Sequence, residues 1–326
     1  MRNLVYCCDG TGRHYGPVNS NIVHLHQRLL RDPGRQLCRY EPGLGTGGYA
    51  LLSGTPRSTW LARLFGYGLT AHLLSGYRFL MEHYQPGDRV FLFGFSRGAY
   101  AVRALSGMLA RVGLLETGQE NLLEDALRVY TRIDRHPQAR GFSRTYARDC
   151  PVHFIGLWDT VASLGFVYRQ RLFFDTALCP DVRHGYHVLA LDERRPRFEP
   201  LLWDERRVVE GQQVEQVWFN GAHGDVGGVY GDRALADISF EWLWSRALRA
   251  GLLPAADLPA LKPDPLGRLH TPWESPSGRL LSWLHLGQRP RQPAPGSLVH
   301  ASVLARHQWL GESLQARVPE YRLVDD

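Results

Sequence analysis

Short apolar runs, each closed by glycine or a polar cluster, alternate along this chain with longer stretches whose apolar residues recur at helical spacing. Leu4–Cys8, Leu37–Tyr40, Val90–Phe93, Val152–Trp158 and Val214–Phe219 read as strands. A helix is predicted over Ile22–Leu30, behind the capping cluster Asn19-Ser20-Asn21, and another over Leu69–Tyr84, ahead of the turn Pro86-Gly87-Asp88. Continuous apolar strands separated by helices describe a parallel sheet covered on both faces. The expected organisation is one α/β domain over residues 1–326 with no internal repeat. Two insertions are expected. The first, 116–149, carries Leu122, Leu123, Ala126, Leu127 and Tyr130 on one helix face; the second, 166–213, carries Phe166, Tyr168, Leu172, Phe173 and Phe174 ahead of an arginine-rich stretch. Such insertions serve as lids and acyl pockets or as surface decoration, and both readings stay open. A proline-rich arm over 251–296, with Trp273 and Trp283, is expected to pack on the core and to offer aromatics for peripheral membrane contact.

The sharpest local signal is Gly94-Phe95-Ser96-Arg97-Gly98, between the run Val90–Phe93 and the small-residue segment Ala99–Leu105. Strand, sharp turn and helix are the context of a nucleophile elbow, and glycines two positions either side of the serine relieve collisions with the neighbouring elements. Ser96 is the expected nucleophile, and the fold class becomes α/β-hydrolase-like. A serine hydroxyl needs a base, and the base needs a group that fixes its tautomer. Asp159 closes the strand Val152–Trp158, and His223 follows the strand Val214–Phe219 on a glycine-rich loop. The chain order Ser96, Asp159, His223 is that of the α/β-hydrolase triad.

Alternatives accompany each assignment. Asp159 could be the N-cap of a helix beginning after Thr160. His300 is a rival base, and His153, inside an apolar strand, reads as a core residue. Oxyanion donors are expected from the backbone of Arg97, at a helix start, and of Gly10 and Thr11 in Gly10-Thr11-Gly12. The same tripeptide also reads as a plain tight turn or as a phosphate loop, although it lacks the lysine and the spacing of the common phosphate-binding motifs. Asp9 and Asp225 are assigned to site support; the competing reading, an oxygen-rich metal site serving a phosphoesterase, is set aside, so neither metal nor cofactor is expected.

Six ordered motifs together resemble a known family: Cys8-Asp9-Gly10-Thr11-Gly12, Tyr40-Glu41-Pro42-Gly43-Leu44-Gly45-Thr46, the elbow, Gly156–Val161, Asp192-Glu193-Arg194-Arg195 and His223–Gly228. The chain looks like the uncharacterised α/β-hydrolase domain family that includes type VI secretion phospholipase effectors of the first lipase class. The resemblance runs from Asn3 to about Leu243, and His300-Ala301-Ser302-Val303 is similar to its closing motif. It implies Ser96, Asp159 and His223 as the triad and glycerophospholipid esters as substrate, with small esters or thioesters as the alternative and a catalytically silent binding module as a third reading. It further implies secretion machinery or an immunity protein as partners.

Charge and composition add limits. Of 38 basic residues only Lys262 is lysine, so the net charge of +6 is carried by guanidinium groups. Coding bias is the favoured explanation, yet Arg194-Arg195-Pro196-Arg197 and Arg206-Arg207 suit an anionic head group. No nucleic-acid motif is found, and nucleic acid is not an expected partner. Five cysteines lack disulfide or metal spacing. No signal peptide or transmembrane run is read, so the chain is expected to be made in the cytoplasm and, if exported, carried by a type VI system.

Overall fold

The computed structural model describes residues 1–43, 57–131, 137–161, 177–271 and 288–325, with the backbone alone for 57–67, 137–140 and 197. Leu44–Thr46, Phe166, Tyr168, Leu172–Phe174, Trp273 and Trp283 therefore lie outside the described residues, and with them the expected aromatic lid and membrane contact.

Strands β1 (Asn3–Cys8), β2 (Gln36–Glu41), β3 (Arg89–Phe95), β6 (Val152–Trp158), β7 (His184–Ala190), β8 (Gln213–Phe219), β9 (Leu298–His300) and β10 (Arg322–Val324) form one sheet in the order β10-β9-β8-β7-β6-β3-β1-β2. Every neighbouring pair is parallel. Two short strands, β4 (Leu114–Leu115) and β5 (Ala147–Arg148), pair antiparallel outside it. The sheet is α/β-hydrolase-like, and its strands show why their sequences carry so little polarity: side chains alternate between two buried faces. Leu4, Tyr6, Cys8, Val90, Leu92, Ile155 and Leu157 enter one core, while Val5, Cys7, Phe91, Phe93, Phe154 and Trp158 enter the other.

Helices α2 (Arg57–His83) and α3 (Arg97–Val112) cover the first face; α1 (Asn21–Gln27) and α7 (Ala234–Arg249) cover the second. Helix α2 starts well before the expected Leu69, running through Gly66 and Gly68, which in sequence look like breakers. Helix α1 stops before the expected Leu30 because Leu30 N donates instead to Leu253 O at 2.9 Å, tying this connection to the chain after α7. The segment 251–271 continues across α1 and α7: Arg28 donates to Pro259 O at 2.6 Å, and Lys262 N to Asp237 Oδ2 at 2.9 Å.

The expected first insertion holds α4 (Leu123–Thr131) and α5 (Pro137–Tyr146), and Leu123, Ala126 and Tyr130 bury against the α2–α3 core. The expected second insertion needs correction, because β7 lies inside 166–213 as a central strand between β6 and β8. Its sequence, His184-Gly185-Tyr186-His187-Val188-Leu189-Ala190, mixes two histidines and a glycine into the apolar run, which hides a fully parallel strand from a count of hydrophobic residues. Past α7 the edge is completed by β9, α8 (Ala301–Leu310), the single turn α9 (Leu314–Arg317) and β10.

Strand order reverses at β1, which has β2 on one side and β3 on the other, so the loops after β1 and β3 diverge and leave a crevice there. Gly10 and Ser96 follow these two strands. Helix α3 approaches β1 so closely that a Cβ on Gly98 would sit 2.3 Å from Cys8 O and 2.5 Å from Asp9 O. Since the obstacle is backbone, Gly98→Ala is expected to destabilise the fold by about 1–3 kcal/mol or more. Urea unfolding followed by circular dichroism checks this, and a midpoint unchanged from the parent would show that the contact is looser than described.

Candidate active site

Ser96 stands between β3 and α3 with φ 58° and ψ −119°, a conformation that disfavours every residue with a Cβ. Three contacts hold it there. Ser96 N donates to Trp158 O at 2.9 Å, Gly94 lacks the Cβ that would lie 2.5 Å from Ala99 Cα, and Gly98 closes on β1. The hydroxyl thereby leaves the axis of the strand and meets the histidine.

Ser96 Oγ donates to His223 Nε2 at 2.9 Å, and His223 Nδ1 donates to Asp159 Oδ2 at 2.6 Å. The carboxylate accepts only, so it sets the tautomer with the proton on Nδ1. Asp159 follows β6 with φ 42°, its amide on Val188 O of β7 at 2.8 Å. Its other oxygen, Oδ1, accepts from Ala190 N at 3.1 Å. Arg291 grips both oxygens, NH1 to Oδ1 at 2.6 Å and NH2 to Oδ2 at 3.0 Å. Asp159 is fully buried, which by itself would push its carboxyl up; the Arg291 charge and the His223 contact outweigh this and hold it well below the usual carboxylate range. The helix that the alternative reading has Asp159 cap falls outside the described residues.

His223 begins a single helical turn, α6 (His223–Val226), where the sequence predicts an open loop. Gly221, at φ 118°, makes the turn into it, and its amide donates to Asp192 Oδ2 at 2.8 Å. The imidazole lies between two aromatic rings, stacked on Phe95 at 4.8 Å and edge-on to Phe198 at 5.0 Å. Phe95 in turn explains two glycines, since a Cβ on Gly10 would come within 2.7 Å of its ring and one on Gly227 within 2.2 Å.

The expected oxyanion donors are placed unequally. Arg97 opens α3 directly after Ser96, and burial lowers its guanidinium to about 10, leaving it charged at neutral pH. Gly10 requires a correction: its N–H donates to Asp9 Oδ1 at 2.7 Å and is committed inside the turn. The same bond fills the loop with a carboxylate, which argues against a phosphate cradle. Thr11 Oγ1 is buried without a hydrogen-bond partner among the described residues.

Asp9 also accepts from Ser20 Oγ at 2.7 Å and Tyr40 OH at 2.9 Å, and its burial pushes the carboxyl up. Asp225 accepts from Ala222 N at 2.9 Å and His270 Nδ1 at 2.7 Å, with burial again pushing its carboxyl up. Both aspartates tie loops together. Among the described residues no group of three or more His, Cys, Asp or Glu side chains is arranged to hold a metal ion. The rival base His300 caps α8, accepting from Ser302 N at 3.3 Å and stacking on Phe219 at 4.8 Å. His153 donates to Ala250 O at 2.9 Å, as a satisfied residue of the sheet.

Two residues of the site escape the sequence reading as site members. Glu193 stands in a motif that carries the family resemblance, yet motif spacing does not tell what it does: it accepts from His223 N at 3.2 Å, Arg194 N at 3.0 Å and Arg195 N at 2.8 Å, and pairs with the Arg195 side chain at 2.7 Å. Arg291 has no local signal at all, being one arginine in a proline-rich stretch of an arginine-rich chain. Burial would raise the Glu193 carboxyl, but Arg195 outweighs it and holds it below the usual range. A depressed folded-state pKa contributes stability that is complete above the unfolded value and lost as pH falls. Unfolding midpoints of the parent should therefore drop between about pH 5 and pH 3 more steeply than those of Glu193→Gln, which cannot titrate. At pH 7 that variant should be less stable by about 1.5–3 kcal/mol, the scale of hydrogen bonds to a charged group. Equal slopes would remove Glu193 from the list of groups that stabilise the loop by charge.

Comparison with known proteins gives one curated relative, the uncharacterized protein YEL023C of Saccharomyces cerevisiae, 38% identical over 221 residues. The aligned part is 61% of this chain and 32% of the yeast protein, so the chain spans about a third of that relative's length. Among solved structures, an uncharacterized protein from Pseudomonas aeruginosa aligns over 78% of this chain and 46% of its own, at 17% identity and a TM-score of 0.45. The Tle1 effector bound to the VgrG spike of the type VI secretion system aligns over 90% of this chain and 81% of its own, at 15% identity and a TM-score of 0.48. Residues 2–246 match the model of the type VI secretion system phospholipase effector Tle1-like catalytic domain, and the chain belongs to that family.

Proposed function

We propose that this protein is a serine esterase that hydrolyses acyl esters of glycerophospholipids through an acyl-serine intermediate. The observation that carries the reading is the continuous relay from Ser96 Oγ through His223 to Asp159, with spans of 2.9 and 2.6 Å, around a serine held at positive φ. Those distances allow proton transfer, and the strained serine backbone is the conformation an elbow needs.

As Ser96 Oγ attacks the ester carbonyl, its proton passes to His223 Nε2 and the carbonyl electrons move onto oxygen. The oxyanion is held by the amide of Arg97, at the positive end of α3, and by the Thr11 side of the β1 loop. Collapse of the tetrahedral species breaks the bond to the alcohol, which leaves with the proton from Nε2. Water then gives its proton to the same nitrogen, attacks the acyl-serine and releases the fatty acid. Phe95 and Phe198 keep bulk water from the imidazole faces, so its proton goes along this path.

The phospholipid substrate rests on family membership, and export through a type VI secretion machine rests on the same ground. Among the described residues no helix is long and apolar enough to cross a membrane, so contact with lipid is proposed to be peripheral. Arg195 and Arg206 are partnered by Glu193 and Asp204 and are weaker candidates for head-group binding than their clustering in sequence suggests.

Ser96→Ala is expected to lower hydrolysis of a p-nitrophenyl ester by a factor on the order of 10⁴ or more while the thermal midpoint stays near that of the parent. His223→Ala should match it, and His300→Ala should keep most of the activity. Undiminished turnover in the serine variant, or a dead His300 variant beside an active His223 variant, would refute the assignment.

Chain length discriminates lipid from small ester. Each buried methylene is worth roughly 0.8 kcal/mol, about fourfold in binding, so kcat/KM should climb from acetyl to octanoyl esters if an acyl pocket also holds the chain in the transition state. Fatty acid release from phospholipid vesicles should be detectable by titration. Preference for acetyl esters together with inert vesicles would leave serine chemistry and remove the phospholipase.

A further inference from the structure

Arg291 lies outside the segment 2–246 that matches the family, yet it holds both oxygens of the acid of the relay. Its NH1 donates to Asp159 Oδ1 at 2.6 Å and to Ala190 O at 2.8 Å. Its NH2 donates to Asp159 Oδ2 at 3.0 Å and to Phe198 O, the residue whose ring stands edge-on to the imidazole. The guanidinium thus ties the acid, the end of β7 and the aromatic wall into one unit. It is 8% exposed, and its Nε is buried without a partner, so the geometry favours the clamp at the cost of one unsatisfied N–H.

We propose that Arg291, supplied by the chain after the family-matching segment, is a positioning residue for the relay that both orients Asp159 and offsets its charge. The inference rests on the serine-esterase reading above.

The electrostatic reasoning has a definite sign. A buried carboxylate alone beside His223 favours the imidazolium, whereas a carboxylate already paired with a guanidinium presents almost no net charge. Other charged and titratable groups around the pair are Glu193, which accepts from the His223 amide and is itself paired with Arg195, and His187, whose Nε2 accepts from Thr160 N at 3.1 Å. Burial, with the nearby Arg103 charge, lowers His187 to about 3, so it stays neutral through the working range. Removing the Arg291 charge has two effects of the same direction: the imidazolium becomes easier to form and the buried Asp159 becomes easier to protonate. Both move the acidic limb of activity to higher pH.

Arg291→Gln and Arg291→Lys in the full chain separate charge from orientation. Rates are taken per active site counted with a fluorophosphonate probe, so that unfolded protein does not enter. For Arg291→Gln the acidic limb of kcat/KM should rise by about one pH unit, the low end for an opposite charge within contact. Its plateau should fall by about 10- to 100-fold through lost orientation. Arg291→Lys keeps the charge without the fork, so its limb should stay in place while kcat drops. A limb unmoved in Arg291→Gln overturns the proposal. If that variant does not fold, the lysine variant decides: a displaced limb, or kcat equal to the parent, overturns it, and an unmoved limb with lowered kcat supports it. Parent protein that the probe fails to label would instead refute the esterase reading itself.

Discussion

A carboxylate with no access to water must have each of its acceptor sites filled, and Asp159 is such a carboxylate. Four donors meet it: the His223 imidazole, the Ala190 amide and the two arms of Arg291. They come from α6, from the end of β7 and from the segment leading into β9, so one buried charge registers three separate parts of the chain. Leaving the carboxylate without the Arg291 counter-charge would cost several kcal/mol, because the penalty for an uncompensated buried charge far exceeds the net worth of the pair. The edge of the sheet beyond β8 is thereby linked to the hydrogen-bonded relay of Ser96, His223 and Asp159 at its centre.

Steric constraint does the corresponding work at Ser96. Phe95 precedes Ser96 and fills the space between the β1 loop and α6, where only glycine at 10 and 227 leaves room for its ring. The same ring stacks on the imidazole. The positive φ of Ser96 is maintained by the bond to Trp158 O and by the backbone approach of α3 to β1 at Gly98. Strain of this kind persists only where the surroundings over-determine it, and here they do so from both sides.

The loops at the C-terminal ends of the strands are held by carboxylates committed to protein partners. Asp9 pins the turn after β1, Asp192 and Glu193 pin the approach to α6, and Asp225 joins α6 to His270. Acidic residues clustered around a site invite a metal reading; their partners are amides, hydroxyls, an arginine and a histidine, and each is satisfied as a loop brace.

Several features were legible from the chain because they are local. Strand β3 and the glycine spacing around Ser96 depend on neighbours in sequence, and Asp159 and His223 are picked out by the strand-like run that precedes each, so residue pattern suffices to indicate them. The parallel sheet follows from apolar runs that alternate between two cores, except for β7, whose histidines and glycine break the run that betrays a buried strand. The bond of the Gly10 amide to neighbouring Asp9 is local yet carries no pattern, whereas the one-turn helix at His223 and the clamp of Arg291 on Asp159 were decided by tertiary structure alone. The last pair is separated by 132 positions and carries no motif. A buried charge selects its counter-charge by where the backbone delivers it, and only the folded chain determines that delivery.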